Sequence, residues 1–131
     1  MRLLSMSIAT LIVASSISIS TPALANQDQL AANICNYVVS DDKNRLRKKL
    51  KESRVKLRNI YDGVSCDGDS LLRLAMKSGS NAVGTFVAKR LPASDLGKAE
   101  SDGLTIVAWA ESNGHSGSEI TTAINERLTG G

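Results

Sequence analysis

Cys35, Cys66 and His115 are the side chains in this 131-residue chain with the strongest nucleophilic, general-base or soft metal-ligand chemistry. They do not assemble into a recognisable reactive set. Zinc would need several His and Cys ligands, and one imidazole with two thiols falls short of a closed site. A lone His beside an Asn-Gly turn reads as a structural donor and acceptor that holds the turn. Asp62, Asp67 and Asp69 form an acidic loop, yet they lack the ligand series and terminal Glu of a calcium loop and read as solvated turn residues. Gly114-His115-Ser116-Gly117 lacks the G-x-S-x-G order of a nucleophile elbow. The expectation is therefore no enzyme, no metal and no cofactor.

Charge is a stronger signal than catalysis. Between Lys43 and Arg58 stand nine basic residues against Glu52 alone, and from Leu91 onward the sign reverses, with Lys98 and Arg127 facing six carboxylates. The candidate binding patch is Lys43, Arg45, Arg47, Lys48, Lys49, Lys51 and Arg54. Its bland interpretation is a solvated helix face, and its functional one is a surface for an acidic protein or another polyanion. Nucleic acid is disfavoured, because Tyr37, Tyr61, Phe86 and Trp109 are the only aromatics and several fall at core positions, away from stacking.

The N-terminus sets the compartment. Met1-Arg2, the apolar and Ser/Thr stretch Leu3 to Ile19, and Ala23-Leu24-Ala25 together predict a secretory signal peptide over 1–25. The apolar run is shorter than a membrane span needs and is broken by serines. The chain beyond residue 25 is expected to be one exported domain with no transmembrane segment, periplasmic or extracellular. Export and an even count favour a Cys35–Cys66 disulfide, while two free thiols would need a reducing compartment.

Helical periodicity supplies the elements. Leu30, Ile34, Cys35 and Val38 share one stripe, and Ser40-Asp41-Asp42 offers an N-cap for a second helix that carries Leu46 and Leu50. Arg54 to Arg58 alternates polar and apolar, so Ser53 to Asp69 reads as a long extended arm; a single helix from Lys43 to Tyr61 is the alternative. Two hairpins follow. In the first, Leu71, Leu72, Leu74 and Ala75 face inward, Gly79 turns, and Val83, Phe86, Val87 and Leu91 return inward. Pro92 to Glu100 is a polar linker. The second buries Ile106, Val107, Trp109 and Ala110, turns at Asn113-Gly114, and enters a helix bearing Ile120, Ala123, Ile124 and Leu128 through a Ser116 to Glu119 capping box.

The two hairpins repeat. Asp67, Gly68, Ser70, Leu71, Leu72, Ala75 and Gly79 align with Asp102, Gly103, Thr105, Ile106, Val107, Ala110 and Gly114 at one constant offset of 35 residues. This outline resembles ankyrin repeats, whose core is G-x-T-P-L-H-x-A followed by a glycine between helices. The signature's Pro and His positions are occupied by Leu71 and Arg73, and by Ile106 and Ala108. The stretch Ile60 to Ala75, the basic helix and the first helix with Cys35 also resemble a family of small secreted bacterial domains of unknown function, a likeness that reaches to about Leu91 and implies no activity.

The expected architecture is an all-α, ankyrin-like array of helical hairpins, units about 27–52, 69–91 and 102–128, with one disulfide. The expected function is non-enzymatic protein binding, with an envelope polyanion at the basic stretch 43–58 as the alternative.

Overall fold

The computed structural model describes residues 22–130. Helices α1 (Pro22–Val39) and α2 (Lys43–Ser53) form the first hairpin, α4 (Leu71–Ser78) and α5 (Asn81–Arg90) the second, and α7 (Ile106–Ser112) and α8 (Glu119–Gly130) the third; the single turns α3 (Leu57–Ile60) and α6 (Ala93–Leu96) lie in the connections. The hairpins stack in chain order. Helix α4 packs against both α1 and α7, and α5 packs against both α2 and α8, which makes two parallel rows of three. All elements among the described residues are helical, as the sequence predicts. The signal-peptide expectation over 1–25 falls outside the described residues except where α1 begins.

Sequence dictates which faces meet. Leu46 and Leu50, four apart on a helix otherwise made of charge, are both buried and define the inner stripe of α2. Ile34 and Val38 do the same for α1, while Leu30 and Cys35 pack at its edge. The core of the second and third hairpins follows the expected positions at Leu71, Leu72, Ala75, Val83, Val87, Ile106, Trp109, Ala110, Ile120, Ala123 and Ile124. Leu128, expected inside, is 37% exposed because it lies in the last turn of α8. Leu74, Val107 and Phe86 are half-buried.

The hairpins supply one another's helix caps. Asp42 caps α2, accepting from the Arg45 N–H at 3.0 Å. Its neighbour Asp41 instead reaches across to α5 and accepts from the Val83 N–H at 2.8 Å. At the other end of α5, the Arg127 guanidinium of α8 donates to the Leu91 carbonyl at 3.0 and 3.3 Å. An anion at its N-terminus and a cation at its C-terminus complement the dipole of this central helix. Both charges come from outside its own hairpin.

Three connections differ from expectation. The arm Ser53 to Asp69 contains α3 and a 3-10 turn over Tyr61–Gly63, because Leu57 and Tyr61 bury on the core when the backbone coils. Within it Cys66 and Asp69 exchange two backbone hydrogen bonds at 2.8 and 3.0 Å. The linker Pro92 to Glu100 coils into α6, which buries Leu96. Helix α8 is capped by Ser118, not Ser116: the Ser118 hydroxyl accepts from the Thr121 N–H at 3.0 Å.

Cys35 and Cys66 form a disulfide across a separation of 31 residues, with their Cα atoms 5.8 Å apart. It fastens α1 to the connection that leads into α4. In α5, Gly84 is buried where the helix meets α8, and a Cβ there would collide with Cδ1 and Cγ1 of Ile120.

Candidate functional site

Helix α2 has so little apolar surface that almost every side chain must face water. Lys43, Arg45, Arg47, Lys48, Lys51 and Arg54 are exposed and Lys49 is half-buried. Among the described residues two of these seven have a carboxylate within ion-pair distance, Arg45 with Asp42 at 3.3 Å and Lys48 with Glu52 at 3.9 Å. Exposed pairs of this kind contribute about 0.5 kcal/mol each and leave the field of the face largely intact.

The fold sorts the seven candidates into two sides. Arg45, Lys48 and Lys49 line a shallow depression with Tyr37 and Glu52. Arg47 and Lys51 point the other way, into a groove of about 500 Å³ between α2, the Val55–Arg58 segment and α5. Lys43 and Arg54 stand at the two ends of α2.

The groove has an apolar floor of Leu50, Val55, Leu57 and Phe86 and a rim of Arg47, Lys51, Lys56, Arg58 and Arg90. Among the described residues no carboxylate lines it. Lys56 and Arg58 belong to the basic run, but Phe86, which the sequence places in the core, and Arg90, to which it gives no role, lie far along the chain. Their spacing of four residues on one helix was the available signal, since it places a cation beside a ring. The Arg90 guanidinium sits over the Phe86 ring at 4.7 Å from its centroid.

Arg54 closes α2 in the left-handed region, at φ 56° and ψ 39°, with its N–H donating to the carbonyls of Leu50 and Lys51. This cap turns the chain so that Val55 to Arg58 forms the second wall of the groove.

A second polar cluster joins the last two hairpins. Arg73 stands on α4 where the ankyrin signature has His, and it is buried. It donates to both carboxylate oxygens of Asp102 at 2.7 and 2.9 Å and to the Leu104 carbonyl at 3.4 Å. Its Nε lies 3.3 Å from Glu100 Oε1, and its guanidinium sits 5.2 Å from the Trp109 ring centroid. Those hydrogen bonds hold Asp102 at about 2, well below the usual carboxylate range. Burial pushes Glu100 the other way, upward, against the pull of Ser70 and Arg73. The Asp102 bond is also the main cause that raises Arg73 above its ordinary value.

Tyr61 lies nearby with its hydroxyl buried and, among the described residues, without a hydrogen-bond partner, and burial raises its pKa. His115 stacks on Trp109 with centroids 5.5 Å apart and an interplanar angle of 17°. Its backbone, not its ring, holds the turn: His115 N–H donates to Ala110 and its carbonyl accepts from Thr121 Oγ1. Among the described residues no group of three or more His, Cys, Asp or Glu could hold a metal ion, and no helix is long and apolar enough to cross a membrane. Asp62, Asp67 and Asp69 do not converge on one point, since Asp69 pairs with Lys77 at 2.9 Å and Asp62 with Lys98 at 3.4 Å.

These features define a disulfide-tied, all-helical domain of stacked hairpins that presents a cationic groove. Residues 34–98 match the model of the family described as "Protein of unknown function (DUF3718)". The match takes in both cysteines and every residue of the groove, and stops before Asp102 and the third hairpin. No curated protein and no solved structure matches the chain. The likeness to ankyrin repeats thus rests on the sequence pattern alone.

Proposed function

We propose that the protein is an exported, non-enzymatic module that captures an acidic segment of a partner protein on α2 and the adjoining groove. The observation that carries this reading is the charge on α2: seven cations project from the helix and its C-cap, and among the described residues two carboxylates answer them. Such a face raises the local concentration of an acidic partner and speeds its encounter. The disulfide is compatible with an oxidising, exported location, the periplasm being the compartment that the predicted signal peptide implies. The side chains with reactive potential are otherwise engaged, the two thiols with each other and the His115 ring with Trp109.

The test is capture from periplasmic extract on the immobilised, oxidised protein, compared with the double variant Arg47→Glu, Lys51→Glu. A reproducible acidic partner retained by the native protein and lost by the variant supports the reading, and no partner at low salt counts against it. An envelope polyanion is the second reading, favoured by the nine basic residues between 43 and 58. Salt separates the two. A polyanion is released steeply and log-linearly as ionic strength rises, whereas a protein contact with apolar content survives.

A further inference from the structure

The groove differs from the rest of the basic face in one respect: it leaves apolar surface open in the middle of the charge. Leu50 and Leu57 are buried beneath it, while Val55 and Phe86 remain half-buried at its surface. A solvated helix face needs no such floor. Phe86 is an expected core position that the fold places at the bottom of an open groove instead.

From this we infer that the groove is the anchor site for the partner segment: it takes one large apolar side chain of that segment onto Val55, Leu57 and Phe86, with flanking carboxylates on the surrounding cations. The inference rests on the reading that the basic face captures an acidic protein segment, and adds the chemistry of that segment.

Two features select a peptide over a single anionic headgroup. The rim cations come from three elements, with Arg47 and Lys51 on α2, Arg58 on α3 and Arg90 on α5, so they surround the floor and call for several anions spaced along a chain. Arg90 also lies over Phe86. The outer side of that guanidinium can stack on an incoming ring beside Phe86, as cationic and aromatic groups favour. The ligand class is thus an acidic segment carrying one aromatic or large aliphatic residue.

The experiment uses the full oxidised protein and two short labelled synthetic peptides of Asp, Glu and Gly, one with a central Phe and one with Ser in its place. Fluorescence anisotropy is expected to show the Phe peptide binding roughly 10- to 100-fold tighter, the range for burying one large apolar side chain. Phe86→Ala is expected to reduce that preference to within about threefold while leaving the salt dependence of binding unchanged, because it removes floor and no charge. A benzoylphenylalanine at the central position, on the native protein, is expected to crosslink to 55–58 or 86–90, a readout independent of any variant's folding.

If both peptides bind equally, or the crosslink falls elsewhere, the anchor is wrong and the acidic-partner reading survives. If neither peptide binds at low salt, both are wrong. Binding to phosphatidylglycerol vesicles without any preference between the peptides assigns the groove to lipid and overturns the inference.

Discussion

Replacing Arg73 with Met keeps the length of the side chain and its contact with Trp109 while removing the charge. The native guanidinium makes two hydrogen bonds to Asp102, one to the Leu104 carbonyl and a close approach to Glu100. Charge-assisted bonds contribute about 1.5–3 kcal/mol each where both groups are buried. Asp102 is 42% exposed, so water replaces part of what it loses; Glu100, 22% exposed, regains less. Arg73→Met is therefore expected to cost about 2–3 kcal/mol, below the range for fully buried pairs, and to lower Tm by roughly 10–20 °C. Adding Glu100→Gln to Arg73→Met is expected to recover part of that loss, because the stranded carboxylate is gone. The assay is urea unfolding of all four members of the double-mutant cycle, with hydrogen exchange across 97–112. An Arg73→Met cost below about 0.5 kcal/mol, or strictly additive effects in the cycle, would refute the view that this cluster clamps the third hairpin to the second.

Three further outcomes are expected. Cys35→Ser with Cys66→Ser should remove about 3–4 kcal/mol, the chain-entropy value for a 31-residue closure, and thermal unfolding with and without reductant should show the same loss in the native protein; unchanged stability sinks the staple. Gly84→Ala should destabilise by about 1–2 kcal/mol, since the gain in helix propensity is outweighed by overpacking against the fully buried Ile120; a raised urea midpoint would show that Ile120 yields. Stability should peak in mildly acid solution. The raised pKa of Glu100 stabilises below its ordinary 4.5, an effect lost as pH rises through the higher folded value, and the depressed pKa of Asp102 stabilises above its ordinary 3.8, an effect lost as pH falls toward about 2. Glu100→Gln should flatten the limb toward neutrality and Asp102→Asn the acid limb, both read as Tm against pH, and unaltered limbs would exclude these two groups as the cause.

Helical periodicity was enough to place the hairpins, because their apolar stripes are bounded by Gly79, Pro92 and Asn113-Gly114, residues whose backbone preferences punctuate a chain locally. Within the arm Ser53 to Asp69 the alternation of Val55 and Leu57 is a weak local signal, and the pull of Leu57 and Tyr61 into a core built by distant helices overrides it over residues 57–63. Asp41 was legible as a cap but not as the cap of α5, since that partner is 42 residues away. The groove was half legible. Its cations are contiguous in sequence, whereas its floor needs Phe86 from another hairpin, and only the stacking of α2 on α5 brings them together. Arg73 carried a signal of a different kind, a charged residue inside an apolar run, which predicts a buried partner without naming it.

Arg54 holds a conformation that glycine adopts freely and that costs other residues about 1 kcal/mol or more. A library selected for heat resistance alone should therefore drift toward Arg54→Gly and toward uncharged residues beside it. Each such step would firm the end of α2 and strip a cation from the same face. If that face is what natural selection maintains, the domain's thermal tolerance is set by a compromise between durability and reach, and the variants that best survive heating should be among the poorest at capture.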